Sequence, residues 1–150
     1  MLFAIFLILI KNFEVNKNWD LRIEQQFSYT HSRAAGSDTG FTFVRELTDS
    51  ITIANAFDIR GRNKTHSLEY AFISSITYVL TDADTLFWQV GAFYEERPDP
   101  HLDSYMAGFT YRRKIHWEWL HAEFTPGIVW KEVYDFRDDH SFTARLEVVF

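Results

Sequence analysis

Phe142-Thr-Ala-Arg-Leu-Glu-Val-Val-Phe150 sets Phe142, Ala144, Leu146, Val148 and Phe150 on one side of an extended chain and Thr143, Arg145, Glu147 and Val149 on the other. Successive side chains of a strand point to opposite faces, so this is a strand with one apolar face and one face carrying charge. Its length of about nine to eleven residues is what a tilted strand needs to cross a bilayer.

The same period of two runs back through the chain. Leu21, Ile23, Phe27 and Tyr29 alternate with Arg22, Glu24, Gln26 and Ser28, and Phe41 and Phe43 alternate with Thr42 and Val44. Ile51, Ile53, Phe57 and Ile59 stand against Thr52, Ala54, Ala56 and Asp58. Leu68, Tyr70, Phe72, Ile76, Tyr78 and Leu80 share a face over roughly thirteen residues, about twice the usual length of a soluble strand. Leu86, Trp88, Val90, Ala92 and Tyr94 form a fifth segment, with Gln89, Gly91 and Glu95 opposite. Tyr105, Ala107, Phe109 and Tyr111 form a sixth. Leu120, Ala122, Phe124, Ile128 and Trp130 form a seventh, in which Pro126-Gly127 predicts a bend or bulge. The terminal segment is the eighth, and no sustained helical period appears anywhere. The chain is all-β.

Composition narrows the class. There are 150 residues, room for one domain, with 47% hydrophobic residues and a slightly negative mean hydropathy. No apolar run approaches the ~20 residues of a spanning helix. Aromatic residues reach 18%, and rings favour cores and membrane interfaces. The net charge of −6 and the lack of a Lys/Arg cluster argue against a nucleic-acid partner. The absence of cysteine excludes disulfides and thiolate metal sites. Met1 to Ile10 is apolar, but it has neither a basic region before it nor an Ala-x-Ala site after it, so it reads poorly as a signal peptide.

The terminal strand resembles the C-terminal assembly signal of bacterial outer-membrane β-barrel proteins, with Phe142, Leu146, Val148 and Phe150 in the signal positions. The resemblance implies an antiparallel up-and-down transmembrane β-barrel in the outer membrane of a Gram-negative cell. It also implies outer-membrane lipids and the barrel-assembly machinery as partners. Connections alternate as that family requires. They are short at 48 to 50, 81 to 84 and 113 to 117, and longer near 32 to 38, 61 to 66, 97 to 103 and 131 to 140. With Phe150 at a periplasmic end, every short turn falls on the periplasmic side. Phe6 to Val15 supplies a ninth strand, joined to the first by Asn16-Lys-Asn18, and residues 1–19 read as the remnant of an upstream strand. Bacterial barrels have even strand numbers, so an odd count and a missing signal lead to the expectation of a truncated barrel of ten to twelve strands.

Alternation alone does not say which face is enclosed, and a soluble ligand-binding barrel would turn the ring-rich face inward. That face carries too much volume for the interior of about eight strands, so we expect it to meet lipid. Rings near strand ends would form interfacial girdles, with Tyr29, Tyr94, Tyr105 and Trp130 at the loop side and Trp117, Trp119 and Phe150 at the turn side. The opposite face, with Glu24, Glu69, Glu95, Arg112, His121, Glu123, Arg145 and Glu147, would line the lumen. Two readings of it stand. In one, Arg112 and Arg145 pair with Glu69, Glu123 and Glu147 in a structural network, because enclosed charges must be paired. In the other, carboxylates line a narrow cation-preferring channel.

A lipid-modifying enzyme is the rival from another class. His-Ser occurs at His31-Ser32, His66-Ser67 and His140-Ser141, but neighbours along a strand face opposite ways and cannot form a dyad within one copy. His31, His66, His101 and His140 lie in or beside the longer connections with Asp38, Asp99, Asp103, Asp138 and Asp139 nearby, yet the spacing matches no metal-ligand motif. No phosphate loop, HExxH or GxSxG is present, and no cofactor is expected. The sequence therefore predicts an integral outer-membrane barrel, structural or a small pore, without assigning its activity.

Overall fold

The computed structural model describes residues 4–30, 34–62, 67–96, 100–116 and 120–148. They form nine antiparallel strands in one sheet: β1 (Ala4–Asn16), β2 (Trp19–Thr30), β3 (Ala34–Thr48), β4 (Ile51–Arg62), β5 (Ser67–Val79), β6 (Asp84–Glu96), β7 (Pro100–His116), β8 (Leu120–Lys131) and β9 (Asp138–Val148). Each strand pairs with its sequence neighbours in the order β1 to β9. The outer edges of β1 and β9 carry no partner strand among the described residues. The expected all-β, up-and-down order is present, with Phe6 to Val15 inside a full ninth strand. Among the described residues the one helical element is the short 3-10 turn η1 (Glu132–Tyr134).

The short turns share a chemical device. Asn16 Oδ1 accepts the Asn18 N–H at 3.0 Å, Thr48 Oγ1 accepts those of Ser50 and Ile51, and Thr81 Oγ1 accepts those of Ala83 and Asp84. A short polar side chain at a strand end thus satisfies the amides that the ladder leaves behind, which is why these residue types close tight turns.

Strand ends differ from the sequence reading. Gly36-Ser-Asp-Thr-Gly40 looks like a loop but lies within β3, and β4 extends through Arg60 to Arg62. The links at that end of the sheet are therefore shorter than expected. At the other end β7 runs to His116, so the expected turn at 113 to 117 is mostly strand. Pro126-Gly127 makes neither a bulge nor a register shift: Gly108 pairs with Gly127 and Tyr111 with Phe124 in one register, and Pro126 keeps its place opposite Phe142. Proline cannot donate to the β7 ladder, and the hydroxyls of Thr110 and Thr125 meet at 3.1 Å beside that gap.

Registration carries the two faces across the whole sheet. On one, Phe41, Phe57, Phe72, Ala92, Tyr105 and Trp130 stand directly opposite one another in turn. On the other, Asp38, Arg60, Glu69, Glu95 and His101 do the same. Among the described residues only one hydrophobic side chain is buried, Ala122 at 6% exposure. Phe72 is 45% exposed and Val90 55%. A water-soluble fold of this size would hide such groups in a core. Here the large apolar side chains are on the outside, and the sheet's hollows lie on the polar side.

Candidate functional site

The polar face holds two ionic clusters. At the loop end, Arg60 on β4 reaches Asp38 on β3 at 3.2 Å and Glu69 on β5 at 3.6 Å. Glu69 is the registered neighbour of Glu95. On β2, Arg22 pairs with Glu24 at 2.8 Å. Arg60 and its carboxylate partners border a hollow of about 510 Å³ lined by Asp38, Asp58, Arg60, Glu69, Glu95 and Asp103, and a smaller one of about 230 Å³ is bordered by Glu24, Asp38, Asp58 and Arg60. Carboxylates outnumber cations there.

The second cluster lies at the turn end of β7 to β9. Arg112 contacts Glu123 at 3.3 Å and Glu147 at 2.8 Å, and Arg145 contacts Glu123 at 2.7 Å and Glu147 at 3.8 Å. Two guanidinium groups and two carboxylates thus close a four-membered network. Glu123 lies at its centre with a side chain only 14% exposed. His121 is registered opposite Glu147 and Lys114 on the same face.

Between the clusters runs an apolar line: Ala56, Ile73, Gly91, Met106 and Val129, registered one beside the next from β4 to β8. The sequence reading treats this face as polar throughout, and Ile73, Met106 and Val129 correct it. Gly36, Gly40, Gly91, Gly108 and Gly127 also belong to this face. Four of them, Gly36, Gly40, Gly108 and Gly127, lie beneath polar side chains. A methyl group at Gly40 would stand 2.6 Å from Asp58 Oδ1, and one at Gly127 would stand 3.0 Å from Ser141 Oγ.

The eight residues assigned to the polar network, Glu24, Glu69, Glu95, Arg112, His121, Glu123, Arg145 and Glu147, share this one face. The structure splits them. Glu69 pairs with Arg60 rather than with Arg112 or Arg145, because it stands opposite Arg60 in the β4–β5 register. Arg60, Asp38 and Arg22 are the members that the sequence reading leaves out. The strand period was the available signal, since Asp58 and Arg60 have the same parity, but the polar run that follows hides Arg60.

On the apolar face Tyr29 and Tyr94 lie exposed at the loop end, and Tyr105 stacks on Trp130 with ring centroids 4.8 Å apart. Trp117, Trp119 and Phe150 lie outside the described residues. Phe142, Leu146 and Val148 share the exposed apolar face of β9. Near the turn end, Arg45 lies over the Trp19 ring at 5.0 Å.

His140 approaches Asp138 at 2.8 Å on the apolar face. Ser141 faces the other way, and its hydroxyl donates to the Gly127 carbonyl at 3.3 Å. The histidine and serine are therefore not brought together. Among the described residues no three His, Cys, Asp or Glu side chains converge as metal ligands. Of the four histidines near the longer connections, His31 and His66 lie outside the described residues.

The strand order, strand length, exposed ring-bearing face and polar hollow match the fold of a porin-type antiparallel β-barrel. The solved structures agree: the NanC porin, in a rhombohedral crystal form, superposes with a TM-score of 0.76 at 7% identity, covering 98% of this chain and 79% of that one. No protein-family model matches the sequence. A search of curated proteins finds no match.

Proposed function

We propose that this chain forms the wall of a small, water-filled, cation-preferring pore in a bacterial outer membrane. The observation that carries the reading is the inversion of the usual partition of side chains: most of the exposed rings on one face, the two ionic clusters and the hollows on the other, with almost no apolar side chain buried among the described residues. In hydrocarbon strand amides must be paired and outward side chains predominantly apolar, while the inner face can stay wet. The ring-bearing face then meets outer-membrane lipids, and Tyr29, Tyr94, Tyr105, Trp117, Trp119 and Trp130 serve as interfacial aromatics. The terminal strand is the segment that the barrel-assembly machinery would take up.

Carboxylates around Arg60 favour positive permeants. The test is planar-bilayer conductance of the refolded protein in a KCl gradient. Discrete conductance steps with a cation-selective reversal potential are expected, and anion selectivity would overturn the assignment. The Arg112–Glu123–Arg145–Glu147 network favours a second reading, a structural barrel whose interior is closed by its own ion pairs. A folded, membrane-inserted protein without conductance would select that reading.

A further inference from the structure

The β8–β9 connection, residues 132–137, carries three features that a plain polar turn does not require. Asp135 and Phe136 have φ of 52° and 53°, two consecutive non-glycine residues in the left-handed region. A bulky side chain rarely adopts that conformation and holds it only when its surroundings impose it. The turn is imposed by its own ladder: Asp135 N–H donates to the Glu132 carbonyl at 2.9 Å, Phe136 N–H to that of Lys131 at 2.9 Å, and Arg137 N–H to that of Tyr134 at 3.1 Å. The consequence is directional. The Phe136 ring folds back onto Tyr105, with centroids 5.6 Å apart, and Tyr105 in turn stacks on Trp130. Tyr105 and Trp130 belong to the apolar outer face, so the turn leans over the wall and not over the hollow.

Beside this three-ring stack, Val133 and Tyr134 are 77% and 57% exposed. A glycine at either left-handed position would close the same turn without a ring, and polar residues at 133 and 134 would suit a turn that projects into water. We infer that residues 132–137 form a membrane-surface anchor, in which Phe136 lies flat on the wall while Val133 and Tyr134 enter the boundary between acyl chains and headgroups of the loop-side leaflet. Aromatic and aliphatic groups are favoured at that depth, and the acids of the turn stay in the headgroup layer. Glu132, 3.5 Å from His101 on β7, ties the first residue of the turn to the barrel. The inference rests on the membrane-wall reading above, which decides what the outer face touches.

The chain has no cysteine, so single labels can be placed cleanly. Tyr134→Cys and, as a wall reference, Phe72→Cys are labelled with a small fluorophore, and the full chain is folded into phosphatidylcholine vesicles. Quenching is then compared between shallow nitroxide lipids, deep nitroxide lipids and aqueous iodide. Label 134 is expected to be quenched at least twofold more by the shallow nitroxide than by iodide, and label 72 by the deep nitroxide. If iodide dominates at 134 while lipid still quenches 72, the anchor is overturned and the membrane wall stands. Dominant iodide quenching at both positions overturns the wall and the anchor together. Adding Phe136→Gly, which suits the left-handed backbone and removes the ring, should move label 134 toward iodide at least twofold. No change there would overturn the ring's role in holding the turn on the membrane.

Discussion

Replacing Phe72 by lysine separates the two environments that the exposed face could meet, because they predict costs of very different size. Phe72 lies near the middle of β5, flanked on its own face by Phe57 and Ala92. At about 3.3 Å per residue it stands about 17 Å along the strand from Ser67 and about 23 Å from Val79. With a tilt of about 40° the lysine ammonium is still too deep to reach either headgroup layer without thinning the bilayer. A charge on the lipid face near the midplane costs about 2–4 kcal/mol. In water, a substitution at so exposed a residue would change stability by no more than about 0.5 kcal/mol. Ser75→Lys, on the polar face of the same strand, is the matched control and should cost under about 1 kcal/mol. Both variants and the parent are folded into vesicles, and urea unfolding is followed by tryptophan fluorescence. With a slope of about 2 kcal/mol per molar, Phe72→Lys should lower the midpoint by about 1–2 M. Equal midpoints for the two variants, or a larger loss at Ser75, would refute the assignment of faces.

Glu123→Ala should cost about 2 kcal/mol in the same assay, between the values for exposed and buried ion pairs, because a nearly covered carboxylate serves two partly exposed arginines. A double-mutant cycle with Arg145→Ala should show about 1 kcal/mol of coupling, and additivity would disprove the contact's contribution. Asp58→Asn combined with Glu69→Gln should shift the reversal potential toward non-selectivity while Glu147→Gln, engaged by both arginines, shifts it less; equal shifts would argue against the loop-end cluster as the selective element. Met106→Ser, on the apolar line, should raise single-channel conductance, and an unchanged value would exclude that line as the narrow point. Deleting Phe150 should reduce accumulation in the membrane far more than Glu147→Gln, as measured by outer-membrane fractionation; equal accumulation would count against the terminal signal.

Facial assignment was legible in the sequence because the period of two is a property of each strand alone. Phe57 and Asp58, or Leu146 and Glu147, fall on opposite sides however the strands pair. Strand ends were harder. Gly36-Ser-Asp-Thr-Gly40 has loop composition, yet its glycines sit in β3 because Ser28 and Asp58 on the neighbouring strands occupy the space that a side chain would fill. Asp38 therefore has the sequence context of a loop, and the polar run after Arg60 hides that residue's place in the strand. Partnership was illegible for a different reason: Glu69 meets Arg60 and not Arg112 through the β4–β5 register, which no single strand's periodicity contains. Pro126 misled because its missing donor need not displace the ladder when neighbouring hydroxyls bridge the gap.

The glycines along the inner face have a practical reading. Where Gly40, Gly108 and Gly127 occur, the surface of the polar face is the peptide backbone itself, with side chains from adjacent strands laid across it. Gln89 lies over Gly108 in this way. Each such position offers a graded adjustment: alanine, then valine, would lift the overlying carboxylate, amide or hydroxyl off the main chain and step the calibre down. In a pore of the proposed kind these glycines would be built-in sizing points for engineering a molecular sieve.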